Sequence, residues 1–95
     1  MLVKVRFLTR LKEVTGREEE EVTVGSEADV SAVLRRLGEK YGEKFGALLY
    51  EGNERLLASH LQVLLDGTNV LSLNGLRTRV KDGSMLAIIP LIAGG

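Results

Sequence analysis

Asp82-Gly83-Ser84-Met85-Leu86-Ala87-Ile88-Ile89-Pro90-Leu91-Ile92-Ala93-Gly94-Gly95 closes the chain, and the rest of the sequence is best read outward from this run. From Met85 the residues alternate so that Leu86 and Ile88 fall on one face and Ala87 and Ile89 on the other, the pattern of a strand. Pro90 has no amide hydrogen and is expected to end the hydrogen-bonded ladder. The segment 90–95 is then expected to leave the sheet as a flexible tail, reaching roughly 20 Å at about 3.3 to 3.6 Å per residue. Gly94 and Gly95 lack Cβ atoms, so they can enter a narrow partner cleft and leave the terminal carbonyl carbon open to attack. A terminal glycine pair also fits an ordinary frayed end.

The start of the chain has the same period of two. Val3, Val5 and Phe7 share one face and Lys4 and Arg6 the other, which predicts a half-buried strand over Leu2 to Leu8. A turn or short helical link around Leu11 to Gly16 leads to a second strand, Glu19 to Val24, and the two strands read as a hairpin-like pair. Asp29 is placed to cap a helix whose apolar stripe is Val30, Val33, Leu34, Leu37 and Tyr41. Gly38, Gly42 and Gly46 recur every four residues, and the charges between them exclude a membrane helix pair. They are expected to end the first helix near Tyr41, with a short second helix burying Phe45, Leu48 and Leu49. Glu51 to His60 is polar and reads as a loop. Leu61 to Leu65 forms another strand, with Val63 and Leu65 inward, closed by the turn pair Asp66-Gly67. The order of strands and helices predicts an α+β fold in a single domain, 1–95, with one sheet and the helices on one face.

Composition narrows the chemistry. The 95 residues are 44% apolar, enough for one core that buries roughly 60 to 65% of the unfolded surface. Thirteen basic residues balance thirteen acidic ones, and no basic stripe is interleaved with aromatics, so no nucleic-acid partner is expected. Lys4, Arg6 and Arg10 interrupt the N-terminal apolar run, so neither a signal peptide nor a membrane span is expected there, and the protein is expected to be cytoplasmic. There is no cysteine and one histidine, His60, which leaves no thiol nucleophile, disulfide scaffold or serine–histidine relay to build. No cofactor is expected on the chain itself.

Val5-Arg6-Phe7-Leu8, Val63-Leu64-Leu65-Asp66-Gly67, Val80-Lys81-Asp82-Gly83 and Ile88-Ile89-Pro90 through Gly94-Gly95 together resemble the MoaD/ThiS family of ubiquitin-like sulfur carriers. The similarity is greatest to the MoaD branch, the small subunit of molybdopterin synthase. The resemblance implies a β-grasp fold with the last strand parallel to the first. It also implies chemistry at Gly95. An E1-like, MoeB-like enzyme would use ATP to adenylate its carboxylate, and sulfur would displace AMP to give a thiocarboxylate. In the MoaD branch the tail would then enter a MoaE-like large subunit and donate sulfur to a pterin precursor.

Carried onto this chain, the resemblance makes Gly95 the reacting residue, Gly94 and Ala93 the slender approach, and Pro90, Leu91 and Ile92 the part lining the partner's channel. Family members dock through apolar residues on the sheet face away from the helix, which by strand parity nominates Leu8 and Ile89. Both also fit ordinary surface apolar residues. The chain has Pro90-Leu91 where family tails often carry two prolines, and the stretches 51–60 and 68–76 exceed the leanest members, which bears on the partner's identity. A protein modifier joined to target lysines and a β-grasp interaction module with an incidental tail remain the alternatives. Glu18 to Glu21 reads as a solvated strand edge, and Asp66-Gly67 and Asp82-Gly83 as turns, since no phosphate-loop motif surrounds them.

Overall fold

The computed structural model describes residues 1–51, 56–57 and 61–90. Strand β1 (Leu2–Phe7) is followed by α1 (Thr9–Thr15), β2 (Glu19–Thr23), α2 (Val30–Tyr41) and α3 (Glu43–Leu49). Then come the two-residue strands β3 (Tyr50–Glu51) and β4 (Leu56–Leu57), β5 (Leu61–Leu65), β6 (Thr68–Asn69) and β7 (Met85–Pro90). The main sheet has the order β2-β1-β7-β5-β6, and β3 pairs with β4 apart from it. This is the mixed sheet of a ubiquitin-like β-grasp, and its helices pack on one face.

Strand β1 meets β2 antiparallel and β7 parallel, the latter in a register that sets Lys4 beside Met85 and Phe7 beside Ile88. The parallel pairing is possible because the whole intervening chain serves as the crossover. The turn before β7 is anchored to the start of β1. Leu2 donates its amide to Asp82 Oδ1 at 2.7 Å, and Gly83, at φ 85°, donates to the Leu2 carbonyl at 2.8 Å. A left-handed glycine makes that tight return possible. Asp66-Gly67 likewise closes β5 onto β6 with both residues at positive φ, and Asp66 Oδ1 accepts the Met85 amide at 2.9 Å.

Helix α2 begins as the sequence predicts, with Asp29 Oδ1 accepting the Ala32 amide at 2.8 Å. Its buried stripe is Val30, Val33, Leu34 and Leu37. These residues pack on Val3, Val5 and Phe7 of β1, Val63 and Leu65 of β5, and Leu86 and Ile88 of β7. Complete burial of each such side chain contributes about 1.5 to 3 kcal/mol. Gly42, at φ 81°, ends α2, and α3 then buries Phe45 and Leu49 with Leu48 half-buried. Phe7, Tyr41 and Phe45 form an aromatic cluster at this end, with ring centroids 5.7 to 6.2 Å apart.

Three expectations are corrected. Pro90 does not start the free segment: it is the last residue of β7, opposite Leu61. The pairing with β1 stops at Ile88, so at Pro90 one flank of the strand is already open and a residue without an amide hydrogen can be accommodated. Within the stretch read as loop, Glu51 and Leu56–Leu57 take part in the β3–β4 pairing. Glu20, in the run read as a solvated edge, is 7% exposed, because period two turns it inward beside Val22.

Candidate functional site

Strand β7 carries the chain toward the expected reaction centre, and it does so from the middle of the sheet, held between β1 and β5. Leu91, Ile92, Ala93, Gly94 and Gly95, the residues assigned to approach and reaction, lie outside the described residues. The strand that leads to them is fully bonded on its inner stretch. Its own Leu86 and Ile88, and Phe7 of the neighbouring β1, are buried.

The opposite sheet face is open. Met85, Ala87 and Ile89 project there from β7 and Gln62 and Leu64 from β5, all half-buried, while Lys4 and Arg6 of β1 are exposed. Register places Ala87 between Arg6 and Leu64, and Ile89 beside Gln62. Leu8 keeps an extended backbone (φ −127°, ψ 153°) one residue past the Phe7–Ile88 pair, which sets it abreast of Ile89. The register thus sets the two nominated docking residues level with each other near the end of β7. Leu64, opposite Ala87, and Met85, at the far end of β7 beside Lys4, lie on the same face; parity within one strand cannot tell which other strand lies alongside. Beside Leu8, a groove lined by Arg6, Thr9, Lys12, Glu18 and Glu19 opens at the β1–α1 junction. Lys12 Nζ donates to Glu18 Oε1 at 2.8 Å there, and this holds the exposed Glu18 carboxyl below its usual range.

A profile of the ThiS family matches residues 5–95, through the final glycine. The chain belongs to the ThiS family. The family is one of ubiquitin-like sulfur carriers and modifiers, and the chain shares its β-grasp fold. Small archaeal modifier protein 3 of Haloferax volcanii is 33% identical over 95 residues, which is the whole of both chains. The solution structure of small archaeal modifier protein 1 from Methanosarcina acetivorans superposes with a TM-score of 0.80 at 31% identity, covering 99% of this chain and 96% of that one. The crystal structure of the protein of that name from Haloferax volcanii gives a TM-score of 0.85 with complete coverage of both chains, and at 24% identity it speaks for the fold. These relatives are named as modifiers, and the family match reaches the ThiS level without singling out the MoaD branch.

The ThiS-family chain holds one charged cluster that sequence reasoning missed. Glu20 reaches inward from β2 to the end of α2, where its carboxylate accepts from the Tyr41 hydroxyl and, at 3.0 Å, from Lys40 Nζ. Arg17 Nε lies 3.7 Å away. Burial pushes the Glu20 carboxyl up, but the hydrogen bonds from Tyr41 and Lys40 and the two cations outweigh it and hold the group below its usual range. Burial, and then the Glu20 carboxylate, push Tyr41 up to about 12. The only signal for the cluster in the sequence was the shared parity of Glu20 with Val22. Among the described residues no group of three or more acidic or histidine side chains is arranged to hold a metal ion.

Proposed function

We propose that this ThiS-family chain is a carrier whose Gly95 carboxylate is the reacting group. An E1-like adenylating enzyme joins that carboxylate to the α-phosphate of ATP, and pyrophosphate leaves. A sulfide equivalent then attacks the acyl carbon, AMP leaves, and a thiocarboxylate remains. The observation carrying this reading is that the family profile runs through Gly95 itself. The chain contributes position. Its half-buried apolar face around Ile89, Ala87 and Leu8 docks the partner, and Pro90 to Gly94 deliver the carboxylate into the partner's site.

Lysine side chains of other proteins are the first acceptors to consider, since the full-length relative is a small archaeal modifier protein. The resemblance to the MoaD branch supports a second destination, a pterin precursor held by a MoaE-like large subunit in molybdopterin synthesis. Incubation with a cognate adenylating enzyme, ATP and a sulfur donor should change the intact mass by exchange of one oxygen for sulfur. An active enzyme that produces no such change would overturn the proposal. Gly95 joined by an isopeptide bond to target lysines, seen after trypsin as a branch of residues 82–95, points to the modifier role, and sulfur recovered in a dithiolene pterin points to the cofactor role.

A further inference from the structure

Strand β2 forms one edge of the main sheet, and among the described residues nothing pairs on its outer side. The Phe7 amide donates to the Glu18 carbonyl at 2.8 Å, and Val24 and Met1 exchange bonds at 2.9 and 2.7 Å. Bonded pairs alternate in an antiparallel ladder, so the even-numbered residues of β2 face β1. Glu19, Glu21 and Thr23 therefore aim their amide and carbonyl groups outward. A groove runs beside this edge, between β2 and α2, lined by the buried Val22 and Leu37 and, on the α2 side, by the exposed Arg36, Glu39 and Lys40.

We propose that the β2 edge takes an extended peptide segment of a partner protein as an added strand, with basic residues at alternate positions. The charges on β2 select this occupant. Glu19 and Glu21 are exposed on the outer sheet face, where cross-strand neighbours of an incoming strand would stand. On their inner flank Arg6 meets Glu19 at 3.8 Å and Lys4 stands opposite Glu21, so an incoming basic strand would flank them from the other side. A second copy pairing through the same edge would bring glutamates opposite or diagonal to glutamates, which is destabilising, whereas lysine or arginine at those positions is favourable. The partner's intervening residues would face Val22 and the groove, where Val22 and Leu37 lie among the polar side chains of Arg36, Glu39 and Lys40, which suits small side chains. This chain carries alternate basic residues in two places: Lys4 and Arg6 of β1, which β2 and β7 flank on both sides, and Arg77, Arg79 and Lys81, of which Arg77 ends a 3-10 turn. In the second stretch Thr78 and Val80 bond to Val30 and Ala28, Arg77 to Asn74 and Lys81 to Ser84. A second copy would have to break these pairings to offer either stretch.

The test uses the full chain, isotopically labelled, titrated with a short capped peptide alternating lysine and valine, and separately with one alternating glutamate and valine. The lysine peptide should give saturable shifts at the Glu19, Glu21 and Thr23 amides and slow their hydrogen exchange, and the glutamate peptide should not. Glu21→Pro deletes one outward amide while sparing the bonds to β1, and should weaken binding about tenfold, the worth of one edge hydrogen bond. Should that variant fail to fold, joint reversal by Glu19→Lys and Glu21→Lys serves instead and should invert the peptide preference. Absence of saturable shifts, shifts centred on Ala87 and Ile89, equal response to both peptides, or self-association through β2 would each overturn the proposal.

Discussion

The phenol of Tyr41 donates to the carboxylate of Glu20, which ties the last turn of α2 to an edge strand of the sheet. The same tyrosine ring stacks at 33° on Phe45 and meets Phe7 edge-on. One residue therefore joins the apolar core to a charged cluster at its margin.

Tyr41→Phe keeps the ring and removes the donor, so it should lower stability by about 1.5 to 3 kcal/mol, the range for a hydrogen bond to a charged group. Chemical denaturation at neutral pH measures this directly. A loss below a few tenths of a kcal/mol would mean that Lys40 and Arg17 satisfy Glu20 without it.

The same pair sets the pH limits. The folded Glu20 carboxyl titrates below its unfolded value of 4.5, so its contribution is present above that value and lost as the pH falls through the folded one. Tyr41 titrates near 12 when folded against 10.0 unfolded, so its contribution is present below 10.0 and lost as the pH rises through about 12. Stability against pH should fall off at both ends, and Glu20→Gln should flatten the acid limb.

Asp29→Ala should cost about 1 kcal/mol, because the first turn of α2 loses the acceptor for the Ala32 amide. The expected readout is a lower denaturation midpoint with an unchanged denaturant slope. Asp29→Asn should recover most of the loss, which a purely electrostatic role at that position would not allow.

Ile89→Asp should leave the fold nearly intact, since the side chain points away from the core, and should slow formation of the thiocarboxylate by the adenylating enzyme at least tenfold. Leu8→Asp should act in the same direction. Equal rates for wild type and both variants, at enzyme concentrations below saturation, would remove this face from the docking surface.

Deletion of Gly94 and Gly95, or extension of the chain beyond Gly95, should abolish sulfur loading while the thermal midpoint stays within error of the full chain. Competition by the deleted form against the full chain for the adenylating enzyme would show that docking survives without the reacting group.

The features legible in the sequence were those set by local pattern. Asp29 and the stripe from Val30 to Leu37 announced α2, and alternation around Val63 and Ile88 announced two strands and their inward faces. Parity also gave the outward orientation of Leu8 and Ile89. The parallel pairing of β1 with β7 joins residues about eighty positions apart, and it was foreseen only through the resemblance. Glu20 was misread because three acidic neighbours disguise its inward parity, and its partner Tyr41 is 21 residues further on in another element. The β3–β4 pair is too short to leave a period. Pro90 was set one residue too early in the transition to the tail, because tolerance of a missing amide depends on which flank of the strand is occupied, and sheet order decides that.

The parallel contact between β1 and β7 also governs how the molecule bears load. The two ladders that grip β7 run along its length, so tension applied between Leu2 and Pro90 acts parallel to the strands and strains the hydrogen bonds from Lys4 to Phe7 together. They cannot be peeled apart one at a time. A machine hauling on the C-terminal end of a conjugate would meet a clasp in shear, and resistance at that clasp would govern whether this domain is released whole or drawn in with its cargo.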